Sequence, residues 1–284
     1  MANKIALLTD SGSDLNNTII KDDNLFVLPL QVIIDGVEHN NSNDLDVDNL
    51  YADMKNKTVT TSLPSPNEIH ATIEKIIAQG YTHIIAITIS SGLSGTHNII
   101  KLIASEFTNI SFEVIDTKNI SYGSGLLGLQ VLRDIKDNLP FDVIVQRVQE
   151  RLSQSRVFFT VGTLDYLKRG GRIGKVAGTV AETLNIKPVI SCNPDGVYYT
   201  VKKIRGYQRS INLVIECATE FAKQYKKVKV VLLSVKTEMD LAKLAQQIHE
   251  QIDNIAEFSI ETVSPALGVH TGPEVIGVAL VNYE

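Results

Sequence analysis

Ile84-Ile85-Ala86-Ile87-Thr88-Ile89-Ser90-Ser91-Gly92-Leu93-Ser94-Gly95-Thr96 is the stretch whose reading decides the fold. Residues 84–89 are apolar but for Thr88. A half-exposed strand alternates, whereas a parallel strand covered by helices on both faces reads as a continuous run. The run passes straight into a polar, glycine-rich turn, and Ile99, Ile100, Leu102 and Ile103 then recur at helical spacing. Strand, turn and helix in that order are the unit of an α/β sheet.

The same alternation extends outward. Upstream, Ile5-Ala6-Leu7-Leu8 predicts a first strand that stops at Asp10-Ser11-Gly12-Ser13-Asp14, and a second apolar run covers 25–34 and ends at the reversal signal Asp35-Gly36. Polar sequence over 38–43 leads to a short helix from about Asp46, and Thr58 to Pro66 reads as a loop. Ser65-Pro66-Asn67-Glu68 then opens a helix, with Ser at the N-cap, Pro in the first turn and Glu three residues on. Downstream come a strand at 112–115 ending at Asp116-Thr117, and helices near 123–137 and 141–153. This half is a doubly wound α/β lobe, and the boundary falls near Ser155, dividing the chain into 1–155 and 156–284. The second half predicts strands at 157–161 and 188–191 and, after Asn193-Pro194-Asp195-Gly196, one alternating Val197, Tyr199 and Val201. Further strands fall at 228–234, 258–263 and 275–281. Helices are expected around Leu164 and Leu167, up to about Leu184, at 209–225 and at 239–252.

At 284 residues, 44% hydrophobic and 21% charged, the chain has the profile of a soluble globular protein. A net charge of −5 gives no reason to expect nucleic acid or an anionic membrane surface as partner. The start, MANKIALLTD, lacks the long apolar segment and small-residue cleavage site of a signal peptide, and no stretch is long enough to span a bilayer. Cys192 and Cys217 are isolated and read as reduced core thiols, so a cytoplasmic location is expected.

In a wound sheet, ligands sit beyond the carboxyl ends of the strands. Three polar turns occupy that place: Asp10-Ser11, residues 90–96, and Asp116-Thr117. The middle one lets backbone N–H groups approach an anion at a helix N-terminus, although Ser94 could equally cap that helix. Neither G-x-G-x-x-G nor G-x-x-x-x-G-K-[ST] occurs, and Arg169-Gly170-Gly171-Arg172-Ile173-Gly174 follows a helix, which argues against a phosphate loop. No His/Cys/Asp/Glu cluster has metal spacing, so neither metal nor cofactor is expected. His39, His70, His83, His97 and His249 read as surface or capping groups. His270 differs, since Gly268, Gly272 and Pro273 predict a tight turn that could aim its ring inward. Ser94, Asp116 and His270 also stand in the chain order of an α/β-hydrolase triad, but Thr96 occupies the closing Gly position of a nucleophile elbow. A serine esterase is thus the alternative to a binding protein.

Taken together, these motifs resemble the DegV family, which includes the fatty-acid-binding subunits of bacterial fatty acid kinase. The resemblance runs nearly end to end, through Thr9-Asp10-Ser11, Thr61-Ser62-Leu63-Pro64-Ser65, the 90–96 turn, Asp116-Thr117 and 167–173, then Lys187-Pro188, Arg205-Gly206 and His270-Thr271-Gly272-Pro273. It implies a two-lobed fold, a doubly wound N-terminal lobe plus a mixed-sheet α/β C-terminal lobe, with a long-chain fatty acid between them. It also implies a carboxylate held by Thr61, Ser94 and His270, with Ser62, Gly95 and Thr271 adjoining. The chain would then be a non-catalytic subunit that presents its lipid to a separate ATP-dependent kinase for acyl-phosphate formation. A carrier of another anionic lipid, and transient contact with a membrane, are compatible with the same pattern. Arg169, Arg172, Lys202, Lys203 and Arg205 are basic residues of an acidic chain and candidates for docking the kinase. Glu274 departs from the family pattern, in which a second Gly often follows Pro273.

Overall fold

The computed structural model describes residues 4–16, 20–40, 45, 47–178, 185–235 and 240–284. The N-terminal half supplies β1 (Ile5–Asp10), β2 (Leu25–Leu28), β3 (Gln31–Ile34), β4 (Val37–Asn40), α1 (Val47–Asp53), β5 (Val59–Ser62), α2 (Pro66–Ala78), β6 (His83–Thr88), α3 (Thr96–Ala104), β7 (Ser111–Asp116), α4 (Tyr122–Lys136) and α5 (Phe141–Arg151). Strands β2-β1-β6-β7, in that order, form a wholly parallel sheet. Successive residues of β1 and β6 point to opposite faces, and both faces are covered. Ala6, Leu8, Ile84 and Ala86 pack under Ile69, Ile73 and Ile76 of α2 and Ile100 and Ile103 of α3. Leu7, Ile85 and Ile87 pack under Leu126, Leu127 and Val131 of α4. This double covering is why 84–89 reads as a continuous apolar run. The capping box at Ser65 and Glu68 is present.

Three details differ from the sequence reading. The run at 25–34 is two strands, because Pro29 offers no N–H to a ladder and the chain leaves the parallel sheet there. Its second half joins a small antiparallel sheet, β4-β3-β5, whose hairpin turns at Asp35 (φ 48°) and Gly36 (φ 85°). Thr58 to Pro66 is therefore not all loop, since β5 takes its first part, and part of the polar stretch after Val37 is strand β4. The expected helix start at Asp46, and residues 41–44, lie outside the described residues.

The C-terminal half supplies β8 (Ser155–Val161), α6 (Asp165–Arg169), β9 (Ile186–Cys192), β10 (Tyr198–Arg205), α7 (Tyr207–Ala222), β11 (Val228–Ser234), α8 (Leu241–Gln251), β12 (Ile255–Thr262), α9 (Pro265–Thr271) and β13 (Val275–Asn282). Their sheet order is β10-β9-β8-β13-β11-β12, and only the β11–β12 pair is parallel. The expected alternation of Val197, Tyr199 and Val201 is shifted. Tyr198 is the buried residue, Val201 packs on the opposite face, and a bulge between Thr200 and Lys202 shifts the register after it. Gly174–Val176 is a single 3₁₀ turn; the helix expected to reach Leu184 runs into 179–184, and that expected from Met239 begins in 236–239, both outside the described residues.

α4 lies between the lobes. It packs on β1 and β6 on one side and on β8 and β13 on the other, which explains why its Gly-, Leu- and Val-rich sequence is buried nearly all round. The carboxyl end of β1 is fastened by two buried acids. Asp10 accepts N–H bonds from Gly12 and, across the sheet, Ile89, each at 3.0 Å. Asp14 accepts the Ser121 hydroxyl at the start of α4 and the Ser264 N–H, at 2.9 Å, at the start of α9. Burial pushes the Asp10 carboxyl up to about 7 and that of Asp14 up to about 6. An acid whose folded-state pKa lies above its unfolded value favours folding at low pH, and that contribution is lost as pH rises through the folded value. The stability of Asp10→Asn relative to wild type should therefore improve as pH rises from about 4 to about 7. Urea midpoints at the two ends of that range check it, and a difference independent of pH would refute it.

Candidate functional site

Strand β1 is followed in space by β2 on one side and β6 on the other, so the chain reverses its winding beside β1, the place where wound sheets bind ligands. Beyond the carboxyl ends of these strands lies a cavity of about 210 Å³ between the two lobes. Leu30, Ile89, Leu93, Ile120, Ala266 and Leu267 give it apolar walls, and Tyr198 reaches it from the C-terminal sheet. Its polar groups are Thr61, Ser62, Ser94, Arg172 and His270. A cavity that joins apolar walls to a few convergent polar groups has the make-up of a small-molecule site.

Each polar group is placed by a separate element. Thr61 and Ser62 close β5. Ser94 sits in the turn that opens α3, held at its base by the Ser90 hydroxyl, which donates to the Gly196 carbonyl of the C-terminal lobe at 2.8 Å. The N-cap of α3 is Gly95, without a side-chain bond, and Ser94 Oγ instead shares a 2.8 Å bond with Thr96 Oγ1 and accepts the Thr96 N–H at 3.3 Å. His270 is not in a tight turn, as its flanking glycines suggest, but in the last turn of α9. Pro265 starts that helix, and Gly272, at φ 78°, ends it. Thr61 Oγ1 and His270 Nε2 are 2.7 Å apart, although 209 positions separate them in sequence. Burial and the neighbouring Arg172 charge depress the imidazole to about 4, so near neutral pH it carries one proton.

Not every candidate residue reaches the cavity. Gly95 is exposed beside it, and Thr271 turns its hydroxyl back to the Leu267 carbonyl at 3.2 Å. Asp10-Ser11 and Asp116-Thr117 are structural. The Ser11 hydroxyl accepts the Leu30 N–H, while Asp116 binds the Ser91 N–H and pairs with Lys118 at 2.7 Å. Asp116 thus makes no bond to His270, whose buried Nδ1 has no partner, and Ser94 bonds to Thr96, so the three do not form the hydrogen-bonded chain of a triad. Among the described residues no cluster of His, Cys, Asp or Glu could hold a metal, and no helix is long and apolar enough to cross a membrane. Both cysteines are buried free thiols, pushed up to about 12 for Cys192 and about 11 for Cys217.

The basic residues divide. Arg172 lines the cavity, with Nη1 on the Gly170 carbonyl at 2.7 Å and Nε on that of Leu93 at 3.3 Å. Sequence reasoning missed this inward role; a cation directly after two glycines at the opening of the second lobe was its only signal. Arg169 reaches the Met54 carbonyl at 3.3 Å and lies over the Tyr166 ring, and Lys202 pairs with Glu220 at 2.7 Å. Lys203 and Arg205 are exposed on the edge strand β10. Glu274 is exposed beside Gly162 and takes no part in lining the cavity.

Fold and site together define a two-lobed α/β protein with a cavity between its lobes. The pattern of the DegV family, described as that of an uncharacterised protein, matches residues 4–282, and the chain belongs to this family. It is similar to DegV domain-containing proteins of Clostridium acetobutylicum, 37% identical over 98% of this chain and 99% of that one, and of Clostridium perfringens, 36% identical over 98% of each. Among solved structures it resembles a DegV protein of Thermus thermophilus described for its fatty acid binding, with TM-score 0.90 and 26% identity over 98% of this chain and 99% of that one. It also resembles a stearic-acid-binding protein of Eubacterium ventriosum, with TM-score 0.88 and 26% identity over 98% of both.

Gly170 abuts the imidazole. A Cβ there would lie 2.1 Å from His270 Nδ1, so Gly170→Ala should push the ring out of its niche. Its pKa should then rise from about 4 toward the ordinary 6.5, because the burial that depresses it is relieved. An NMR titration of the imidazole protons reads this, and an unmoved value would show that Gly170 does not set the ring's position.

Proposed function

We propose that this chain binds a long-chain fatty acid in the cavity between its lobes and holds the carboxylate at the polar wall. The observation that carries the reading is the meeting of Thr61, Ser62, Ser94, Arg172 and His270, drawn from both lobes, on an otherwise apolar chamber. Burying each methylene is worth about 0.8 kcal/mol, so a chain of roughly 16 carbons supplies on the order of 10 kcal/mol before ordering costs. The polar wall then has only to select and orient the acid. Gly95 and Thr271 adjoin this wall. The fatty acid ligands of the Thermus and Eubacterium proteins agree with this reading. The family resemblance extends it: a non-catalytic, cytoplasmic subunit divided near residue 155, which presents the carboxylate to a separate ATP-dependent kinase for acyl-phosphate formation. Arg205, exposed on the edge strand β10, suits the docking of an acidic partner better than Arg169, Arg172 or Lys202, which are already engaged within the chain.

Two measurements test the reading. Organic extracts of the purified protein, analysed by mass spectrometry, should contain fatty acid near one per chain; a different anionic lipid at that stoichiometry would redirect the assignment, and no lipid at all would overturn it. After stripping, Ser94→Ala should bind fatty acid about tenfold to a hundredfold more weakly, because a charged acceptor loses one donor, and should bind the methyl ester with little change. Equal losses for acid and ester would mean that Ser94 only shapes its turn. For the partner surface, Arg205→Glu should slow acyl-phosphate formation most at low salt while leaving fatty acid affinity intact. Unchanged turnover would exclude Arg205 from docking.

A further inference from the structure

We infer that the cavity reads an oxygen on the acyl chain itself: the phenol of Tyr198 hydrogen-bonds a hydroxyl carried close to the carboxyl end, so the preferred ligand is a 2- or 3-hydroxy fatty acid. The inference rests on the fatty acid reading above and narrows it. Tyr198 opens β10 opposite Cys192 of β9 and is only 5% exposed. Its ring meets that of Phe159 edge to face, with centroids 5.3 Å apart. Gly174 lies on its main chain, where a Cβ would stand 2.7 Å from the Tyr198 carbonyl oxygen. Strand, ring and turn together fix the phenol on the wall that the C-terminal sheet lends to the cavity. A phenylalanine would make the same ring contact, so the hydroxyl is the feature that needs a reason.

Most other polar groups of the cavity are already engaged. Thr61 and His270 bond to each other, Ser94 bonds to Thr96, and Arg172 bonds to the carbonyls of Leu93 and Gly170. Ser62 is exposed to solvent. The Tyr198 hydroxyl differs, since it is buried with its residue and bonds to none of the described residues. A buried tyrosine hydroxyl ordinarily has a partner, because an unpaired donor forfeits what water would give it. Burial holds this phenol well above the ordinary tyrosine range, so it keeps its proton and can donate. A plain hydrocarbon chain laid across it would displace water and offer no acceptor in return. A ligand hydroxyl at that height accepts from the phenol and restores the bond. The phenol and the polar wall share one cavity of about 210 Å³, which puts the ligand's oxygen at C2 or C3 rather than far along the tail. A group placed to bond a ligand hydroxyl discriminates against the analogue without one more sharply than an apolar wall discriminates by size. Tyr198 is thus a specificity-determining residue.

The test uses the full chain, stripped of lipid and titrated with palmitate and with each enantiomer of 2-hydroxypalmitate and 3-hydroxypalmitate. At least one hydroxy acid should bind wild type about tenfold more tightly than palmitate does. Tyr198→Phe keeps the ring and should erase that preference while leaving palmitate affinity unchanged or slightly improved, because no donor is stranded any longer. If palmitate binds wild type as tightly as every hydroxy acid, the inference falls while the fatty acid reading stands. A Tyr198→Phe variant that retains the preference overturns the inference, since the phenol is then idle. A variant that melts as wild type does but loses palmitate and hydroxy acid alike also overturns it, since the phenol would then hold the carboxylate. Binding of none of these acids to wild type would overturn the fatty acid reading and the inference with it.

Discussion

The site depends on one buried carboxyl group. Asp14, held at φ 58° just past β1, accepts from Ser121 at the head of α4 and from Ser264 at the head of α9. The first bond sets the helix that both sheets share as a core, and the second sets the short helix that delivers His270. An α9 shifted by even one ångström would lose its 2.7 Å contact with Thr61 on a different sheet. Removing this acid while leaving its donors buried would be costly, because unmade bonds to a charged or partly charged acceptor carry the full desolvation penalty. The lobes are therefore coupled at the cavity, not merely adjacent to it.

That coupling explains what the sequence discloses and what it hides. The continuous run at 84–89 announces a doubly covered strand, and the capping box at Ser65 announces α2, because both are local patterns with a local cause. The division of 25–34 into two strands of different sheets turns on Pro29, whose effect is visible only once each half has a neighbour. β5 lies in a Thr- and Ser-rich segment without alternating hydrophobicity, since its strand character comes from pairing with β3. Helix α9 contains two glycines' worth of breaker signal around His270, yet Pro265 and the Ser264 tie to Asp14 outweigh it. Of the polar wall, Ser94 and His270 stand in turn-like motifs and could be singled out from the residues, and Thr61 through the family resemblance. Arg172 could not, because a surface arginine and one folded back onto two carbonyls have the same sequence.

The electrostatics of the wall follow from how its charges are placed. Arg172, the one cation among the described residues that line the cavity, is already bonded to the carbonyls of Leu93 and Gly170, and the imidazole is kept neutral by burial. An anion at this wall would meet hydroxyls and a cation whose hydrogen bonds are in part committed. Such a site selects an anion without locking it into a bidentate ion pair.

Affinity and orientation therefore come from different parts of one cavity. The apolar walls contribute free energy in proportion to buried area and with little regard to direction. The hydroxyls contribute less but only in one geometry, because a misaligned donor leaves a buried anion short of a bond. Since the two sets of groups come from elements on both lobes, a ligand that satisfies both also favours the folded arrangement that joins them, by an amount that grows with its concentration relative to its dissociation constant. Binding there would thus also help to hold the lobes together.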